Sequence, residues 1–491
     1  MTLLEDPVWH ERIHLDGWTA GSGGTSAVVE PATGRRLGVI GNATADDVSR
    51  AAARAAEAQQ EWARTAPAER AAVLRRAGDL FAEHAEEIKD WIVREAGSTR
   101  AKATVETDFA AAECYEDAAL PAHPLGDVLS SGEPRWSFAR RVPAGVVSVI
   151  APFNFPLILG IRSVAPALAL GNAVLLKPDP RTAVCGGVTI VRIFEEAGLP
   201  EGLLHLLPGD ASVGAAVVEA PEVSVVSFTG STAAGRKVGE AAARNLKKVH
   251  LELGGNNALV VLPGADLPAA ASAGAFGSYL HQGQICMATG RHLVHESQAE
   301  EYVALLAEKA AHLPVGDPAA GDVALGPIID SRQLAHIDKV VTDSVAAGAK
   351  VAAGAKVAAG GKADAPYYPA TVLTGLDDDS PAWREEIFGP VAPVRTYRDL
   401  DEAARIVDAS PYGLSVGILG DVGTAMTLAD RIRSGKVHIN EQTVMDEPGA
   451  PFGGVGDSGN GSRFGGAQAN IEAFTETQWV TVRPQIAPYP F

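Results

Sequence analysis

Between residues 46 and 96, apolar side chains recur at three- and four-residue spacing among Arg and Glu. Val73, Ala77, Leu80, Phe81 and Ile88 carry the stripe. That period predicts two amphipathic helices, with Pro67 at the break between them and Gly97 as a C-cap. From Gly145 the pattern changes. Short β-branched runs at 146–150, 173–177, 223–228 and 249–253 are separated by helix-length segments, among them 182–197 and 231–246. A second alternating series has strands near 258–262, 292–296, 368–373, 415–419 and 436–440, with helices near 267–280, 299–313 and 331–347. Strand–helix alternation of this kind predicts an α/β chain. A doubly wound, Rossmann-like sheet is followed by a second α/β domain.

Three stretches need separate reading. Residues 142–161 carry no charge over a length sufficient to span a bilayer, but Pro143, Pro152, Pro156 and Asn154 interrupt them. They read as a buried strand, a turn and a helix start. Residues 349–363 repeat KVAAG twice and read as a surface hairpin or loop. Residues 475–482 form a strand-like tail, suited to pairing with a sheet edge in this or another subunit.

Length and composition narrow the class. The chain has 491 residues, enough for about three domains or two large ones. Lys and Arg number 41 against 60 Asp and Glu, a formal charge of −19, so nucleic acid and anionic membrane surfaces are poor partners. Three cysteines, Cys114, Cys185 and Cys286, make no disulfide framework and fit a reducing cytoplasm. No CxxC or HExxH spacing is present, so no metal site is expected. The N-terminus lacks the apolar core of a signal peptide.

Four places hold residues suited to chemistry. A β-branched strand runs into Gly230, and a helix begins at Ser231. The free N–H groups there suit a pyrophosphate, although the GxxxxG spacing is not the usual dinucleotide fingerprint and an ordinary glycine turn is the alternative. Cys286 lies in the glycine-flanked run GQICMATGR and is either a reachable nucleophile or an inert buried thiol. Glu252 ends an apolar strand beside two glycines. It is either a general base with a raised pKa or a solvated loop acid. Asn154, between two aromatics and two prolines, is either an oxyanion donor or a turn cap.

Together these motifs resemble those of the NAD(P)-dependent aldehyde dehydrogenases, in order and over nearly the whole chain: APFNFP, LLKPDPRTA, FTGSTAAG, ELGGNNA, GQICMATGR, EEIFGP and APFGGVGDSG. KPDPRTAVCGG and HQGQICMATGRH are most similar to the members acting on benzaldehyde and vanillin. The resemblance implies that Cys286 attacks the aldehyde, that Asn154 and the Cys286 N–H hold the oxyanion, and that Glu252 activates water to hydrolyse the thioester. Lys177 would bond the adenosine ribose and Ser231 the pyrophosphate. Glu386 would hold the nicotinamide ribose, with Phe388 near the ring. Phe155, Leu159, Arg162, Leu280, Ile285, Met287 and Met445 would line the substrate funnel, with Arg162 either recognising a polar ring substituent or forming a buried ion pair. Pro180 stands where many NAD-preferring members have Glu, so NAD is the expected cofactor and NADP is expected to be tolerated. Asn256 replaces a frequent Lys, which predicts a less positive surrounding for Glu252, and Asp457 replaces a frequent Lys or Asn.

The resemblance also divides the chain. Residues 1–121 and 142–253 would bind the cofactor, 254–456 would form the catalytic domain, and 122–141 with 467–491 would join subunits of a homodimer or homotetramer. The alternatives are a semialdehyde or aliphatic aldehyde dehydrogenase, and a non-catalytic dinucleotide-binding protein.

Overall fold

The computed structural model describes residues 2–354 and 366–491. Two seven-stranded sheets organise it. In the first, the strands run in the order Lys248–Glu252, Val223–Thr229, Val146–Ile150, Ala173–Lys177, Leu204–Leu206, Arg12–Leu15 and Gly17–Ala20. The first five are parallel and the last two form an antiparallel edge. The parallel strands are nearly continuous apolar runs because helices cover both faces. The chain leaves Val146–Ile150 in one direction across the sheet and returns to its other side with Val223–Thr229. The topological switch point therefore lies between these two neighbours, where a crevice opens beyond the strand ends.

The second sheet has the order Lys350–Ala353, Thr371–Thr374, Val391–Tyr397, Thr289–His295, Asn257–Val261, Ser415–Leu419 and Lys436–Ile439. All of its neighbours are parallel except Lys350–Ala353, an antiparallel edge. Only four residues, Leu253 to Asn256, connect the outermost strand of the first sheet to a central strand of the second. A third sheet pairs Thr475–Val482 antiparallel with Trp136–Pro143, and Gly126–Val128 completes it. The C-terminal strand thus pairs within its own chain.

Most predicted elements are present, with three differences. The stretch 46–96 holds three helices rather than two: Ala45–Trp62, Pro67–Glu83 and Ala85–Glu95. His84 leaves helical geometry (φ −103°, ψ 15°). Glu87, just beyond, accepts the N–H groups of Leu3 and Leu4 at 2.8 Å each, so the break lies where the N-terminal segment docks. The predicted helix 182–197 opens with a π turn, Val184–Val188, before the α-helix Thr189–Glu196. The buried Glu95 carboxylate takes the N–H groups of Val184 (3.0 Å) and Cys185 (2.7 Å) and fixes that wider turn. Of the KVAAG pair, the first copy supplies the edge strand Lys350–Ala353, and the second lies outside the described residues.

The stretch 142–161 is the expected strand, turn and helix, with Val146–Ile150 followed by Pro156–Ala169. No described helix is long and apolar enough to cross a membrane.

Candidate active site

The site grows from the C-terminal ends of the first sheet's strands. Ile150 leads into Ala151–Asn154, Lys177 ends its strand, Thr229 leads to Gly230, and Glu252 ends the outermost strand. The helix Thr232–Arg244 starts directly after Gly230. Ser231 caps it, its hydroxyl accepting the Ala234 N–H at 3.3 Å, and the positive end of the helix points into the crevice.

From the other side come Cys286 and Glu386. The turn before Cys286 is strained: His281 (φ 49°), Gln282 (φ 56°) and Gly283 (φ 67°) are all left-handed. Gln282 holds it by donating to the carbonyls of Gly97 (3.1 Å) and Pro327 (3.0 Å). At Gly283 a Cβ would meet the Gly389 carbonyl oxygen at 2.1 Å, so only glycine fits. After the turn, Asn257 Nδ2 donates to the carbonyls of Cys286 and Ala288, both at 2.8 Å. The nucleophile candidate is therefore pinned to a central strand of the second sheet.

A single cavity of about 760 Å3 brings these parts together. Asn154, Lys177, Gly230, Ser231, Cys286, Glu386 and Phe388 all face it. Its size suits a dinucleotide-scale ligand. Cys286 and Glu386 stand in one wall because of the Gly254–Gly255 connection. A Cβ on Gly254 would lie 2.0 Å from the Glu386 carboxylate, and one on Gly255 would lie 2.4 Å from the Cys286 carbonyl. Glu386 accepts the Gly255 N–H at 3.0 Å, and burial pushes its carboxyl up to about 7. Phe388, at φ 52°, meets Phe153 edge to face at 5.8 Å. Lys177 is buried, and among the described residues its Nζ is hydrogen-bonded only to the Pro178 carbonyl, 3.2 Å away. Donor capacity therefore remains toward the cavity. An ammonium group, a helix N-terminus and a carboxylate spread along one crevice fit the ribose and pyrophosphate groups of NAD(P).

The thiol of Cys286 is pushed up to about 12, mainly by burial and then by the Glu386 carboxylate, so it carries its proton at neutral pH. Glu252 is 2% exposed. Its Oε2 accepts the Gly454 N–H at 3.3 Å, and its Oε1 has no partner among the described residues. Burial raises its carboxyl well above the ordinary range.

The aldehyde dehydrogenase family profile matches residues 18–480. The chain belongs to that family. A vanillin dehydrogenase from Amycolatopsis sp. is 62% identical over the full length of both chains. The NAD-dependent benzaldehyde dehydrogenase of Pseudomonas putida is 46% identical over 99% of each. Among solved structures, a salicylaldehyde dehydrogenase from Pseudomonas putida G7 complexed with salicylaldehyde aligns with TM-score 0.93 and 34% identity, covering 98% of this chain and 99% of that one. The fold and the NAD(P)-dependent aldehyde oxidoreductase class follow from this membership.

The predicted funnel is partly corrected. Leu159 faces the cavity. Ile285 and Met287 form an apolar cluster with Leu414, Phe452 and Phe464, and Phe155, Leu280, Val444 and Cys286 itself pack against it. Arg162 does not line the funnel. It is fully buried, with Nε 2.9 Å from Glu113 and Nη1 2.8 Å from Asp446, and its guanidinium lies over the rings of Phe109 (4.9 Å) and Phe452 (5.0 Å). The ion pair is what the structure contains: Nε and Nη1 face two carboxylates, while Nη2 has no partner among the described residues. Met445 lies apart from the cluster, half-buried, its carbonyl accepting Lys436 Nζ at 2.9 Å.

Asn256 donates its amide to the Trp383 carbonyl at 2.8 Å, and the cations acting on Glu252 are Arg463, Arg162 and Lys436. Asp457 bonds Arg236 at 2.6 Å and so ties its loop to the helix that begins at Thr232.

Leu414, Val444, Phe452, Phe464 and Arg463 were not singled out from the sequence. The available signal for three of them was the glycine-rich run 453–466, which Phe452 borders and which contains Arg463 and Phe464.

Proposed function

We propose that this enzyme oxidises aromatic aldehydes of the benzaldehyde and vanillin type to their carboxylic acids. The observation that carries the reading is a cysteine that faces a dinucleotide-sized cavity while packing against an aromatic and aliphatic cluster. Phe155, Leu280 and Val444, partly buried members of that cluster, would meet the ring of an aldehyde bound at Cys286, while Phe452 and Phe464, buried and stacked on one another, back them. The names of the similar proteins support the same substrate class. The semialdehyde reading loses its cation, because Arg162 is committed to Glu113 and Asp446.

In this reading Cys286 Sγ gives its proton to water in the open cavity and bonds to the carbonyl carbon. The Asn154 amide and the Cys286 backbone N–H hold the resulting oxyanion. NAD(P), when bound, supplies the two-electron acceptor. Glu252 takes a proton from the water that attacks the thioester, and the acid leaves with the thiolate regenerated. Lys177, Ser231 and Glu386 would hold the cofactor along the crevice, with Phe388 near the nicotinamide ring. Residues 1–121 and 142–253 carry the cofactor face, and 254–456 carry the cysteine. NAD is the preferred cofactor. NADP is tolerated because Pro180 places no carboxylate against a 2′-phosphate.

The third sheet, with Trp136 79% and Trp479 63% exposed, supplies the contact of a homodimer or homotetramer within 122–141 and 467–491. The setting is cytoplasmic, consistent with three free thiols.

Steady-state assays decide the substrate class. Benzaldehyde and vanillin should give specificity constants at least about tenfold above that of succinic semialdehyde, in line with what one differing pocket contact contributes. The same assay with NADP should give slower but measurable turnover. A preference for the semialdehyde would overturn the aromatic reading. Asn154→Ala is expected to lower kcat by about 10²–10³-fold, the loss typical of one oxyanion donor, with cofactor binding unchanged by fluorescence titration.

A further inference from the structure

We propose that Arg463 is a positioning residue for the general base: it grips the glycine turn that seats the Glu252 carboxylate and supplies that carboxylate with a cation of its own. The inference rests on the reading of Glu252 as the base for thioester hydrolysis.

The segment 453–459 wraps the end of the Glu252 strand. Leu253 N–H donates to the Ser458 carbonyl at 2.9 Å, and Glu252 bridges Gly459 through the backbone. From the other side, Gly230 N–H donates to the Glu252 carbonyl at 3.0 Å. The main chain of Glu252 is thus fixed from both neighbours, while its carboxylate has one donor among the described residues, Gly454 N–H. The opposite end of Gly454, its carbonyl, accepts Arg463 Nη1 at 3.2 Å, and the same nitrogen donates to the Ser462 carbonyl at 2.8 Å. Arg463 also packs on the Cα of Gly453, where a Cβ would lie 2.7 Å from Nη1. Removing the guanidinium frees the turn that presents the N–H to Oε2.

Charge points to the same residue. The charged or titratable groups that act on Glu252 are Arg463, Arg162 and Lys436, with the Cys286 thiol as a further neighbour. Arg162 is held by Glu113 and Asp446, and Lys436 lies 3.5 Å from Asp446. Arg463 makes no ion pair among the described residues. Burial raises the Glu252 carboxyl, and Arg463 is the foremost of the groups opposing that rise, ahead of the Gly454 N–H, Arg162 and Lys436. The base therefore has a brace and a counter-charge in one side chain, and the unbonded Oε1 is left for water.

The test separates formation of the thioester from its hydrolysis. Arg463→Met in the full-length enzyme should keep cofactor binding and a first-turnover burst of reduced cofactor. Its steady-state rate at pH 7 should fall about 10- to 100-fold, and the acid limb of its kcat–pH profile should move up by about one pH unit. Arg463→Lys, which keeps the charge, should leave that midpoint near the wild-type value. Should the methionine variant not fold, Arg463→Gln, which keeps a donor for the Gly454 carbonyl, carries the same test. A folded neutral variant with an unmoved midpoint overturns the proposal, as does an equal loss of burst and steady-state rates. If Glu252→Gln itself leaves turnover intact, the reading of the base fails first. If Glu252→Gln blocks hydrolysis and the Arg463 variants do not shift the profile, only the role of Arg463 fails.

Discussion

Alanine in place of Cys286 is expected to lower aldehyde oxidation by at least about 10⁴-fold, with cofactor affinity unchanged within about threefold. The asymmetry follows from the geometry. Cys286 contributes one residue to the wall of the cavity, whereas the elements assigned to the cofactor arise from other strands: Lys177 from Ala173–Lys177 and Ser231 from the helix start after Val223–Thr229. No other described cysteine can replace it. Cys114 and Cys185 are fully buried, and burial drives both thiols well above the ordinary range. Turnover of benzaldehyde measured by absorbance of reduced cofactor, with cofactor binding by fluorescence, checks both halves. An alanine variant with wild-type turnover would place the bond-forming atom elsewhere.

Glu252→Gln is expected to separate the reaction differently. The enzyme should form the thioester once, releasing about one reduced cofactor per site, and then stall, with steady-state turnover lowered by about 10²–10⁴-fold, the range for loss of a general base. In the parent enzyme, the raised Glu252 carboxyl means that turnover falls as pH drops through a value above the ordinary carboxylate range, because the protonated acid cannot accept a proton from water. That acid limb should vanish in the glutamine variant. Rapid-quench measurement of the first turnover, together with a kcat–pH profile, checks both statements. Equal loss of the first and later turnovers would show that Glu252 acts before hydrolysis.

Much of the architecture could be read in the residue pattern because parallel strands buried on both faces are short, apolar and β-branched. The runs at 146–150, 173–177 and 415–419 match strands at Val146–Ile150, Ala173–Lys177 and Ser415–Leu419. What the pattern missed depends on distant partners. The break at His84 follows from the docking of Leu3 and Leu4 on Glu87, and the π turn at Val184–Val188 follows from the Glu95 carboxylate, 89 positions away in sequence. The chemical residues were legible mainly as motifs. Asn154, Glu252 and Cys286 each had a bland alternative, and only the fold sets Asn154 and Cys286 on one cavity, with Glu252 buried at the end of its strand nearby. Arg162 was ambiguous for a related reason. Its partners, Glu113 and Asp446, lie 49 positions before it and 284 after it, so local sequence could not decide between recognition and an ion pair.

The side chains grouped around Cys286 come mostly from the second half of the chain: Leu280, Ile285, Met287, Leu414, Val444, Phe452 and Phe464. The crevice assigned to the dinucleotide is built largely from the first sheet. The molecule is consequently modular under selection. Substitutions on the ring-facing walls can retune which aldehyde is accepted while the electron acceptor stays the same, so one inherited cofactor cradle can serve lineages that diverge in the compounds they consume.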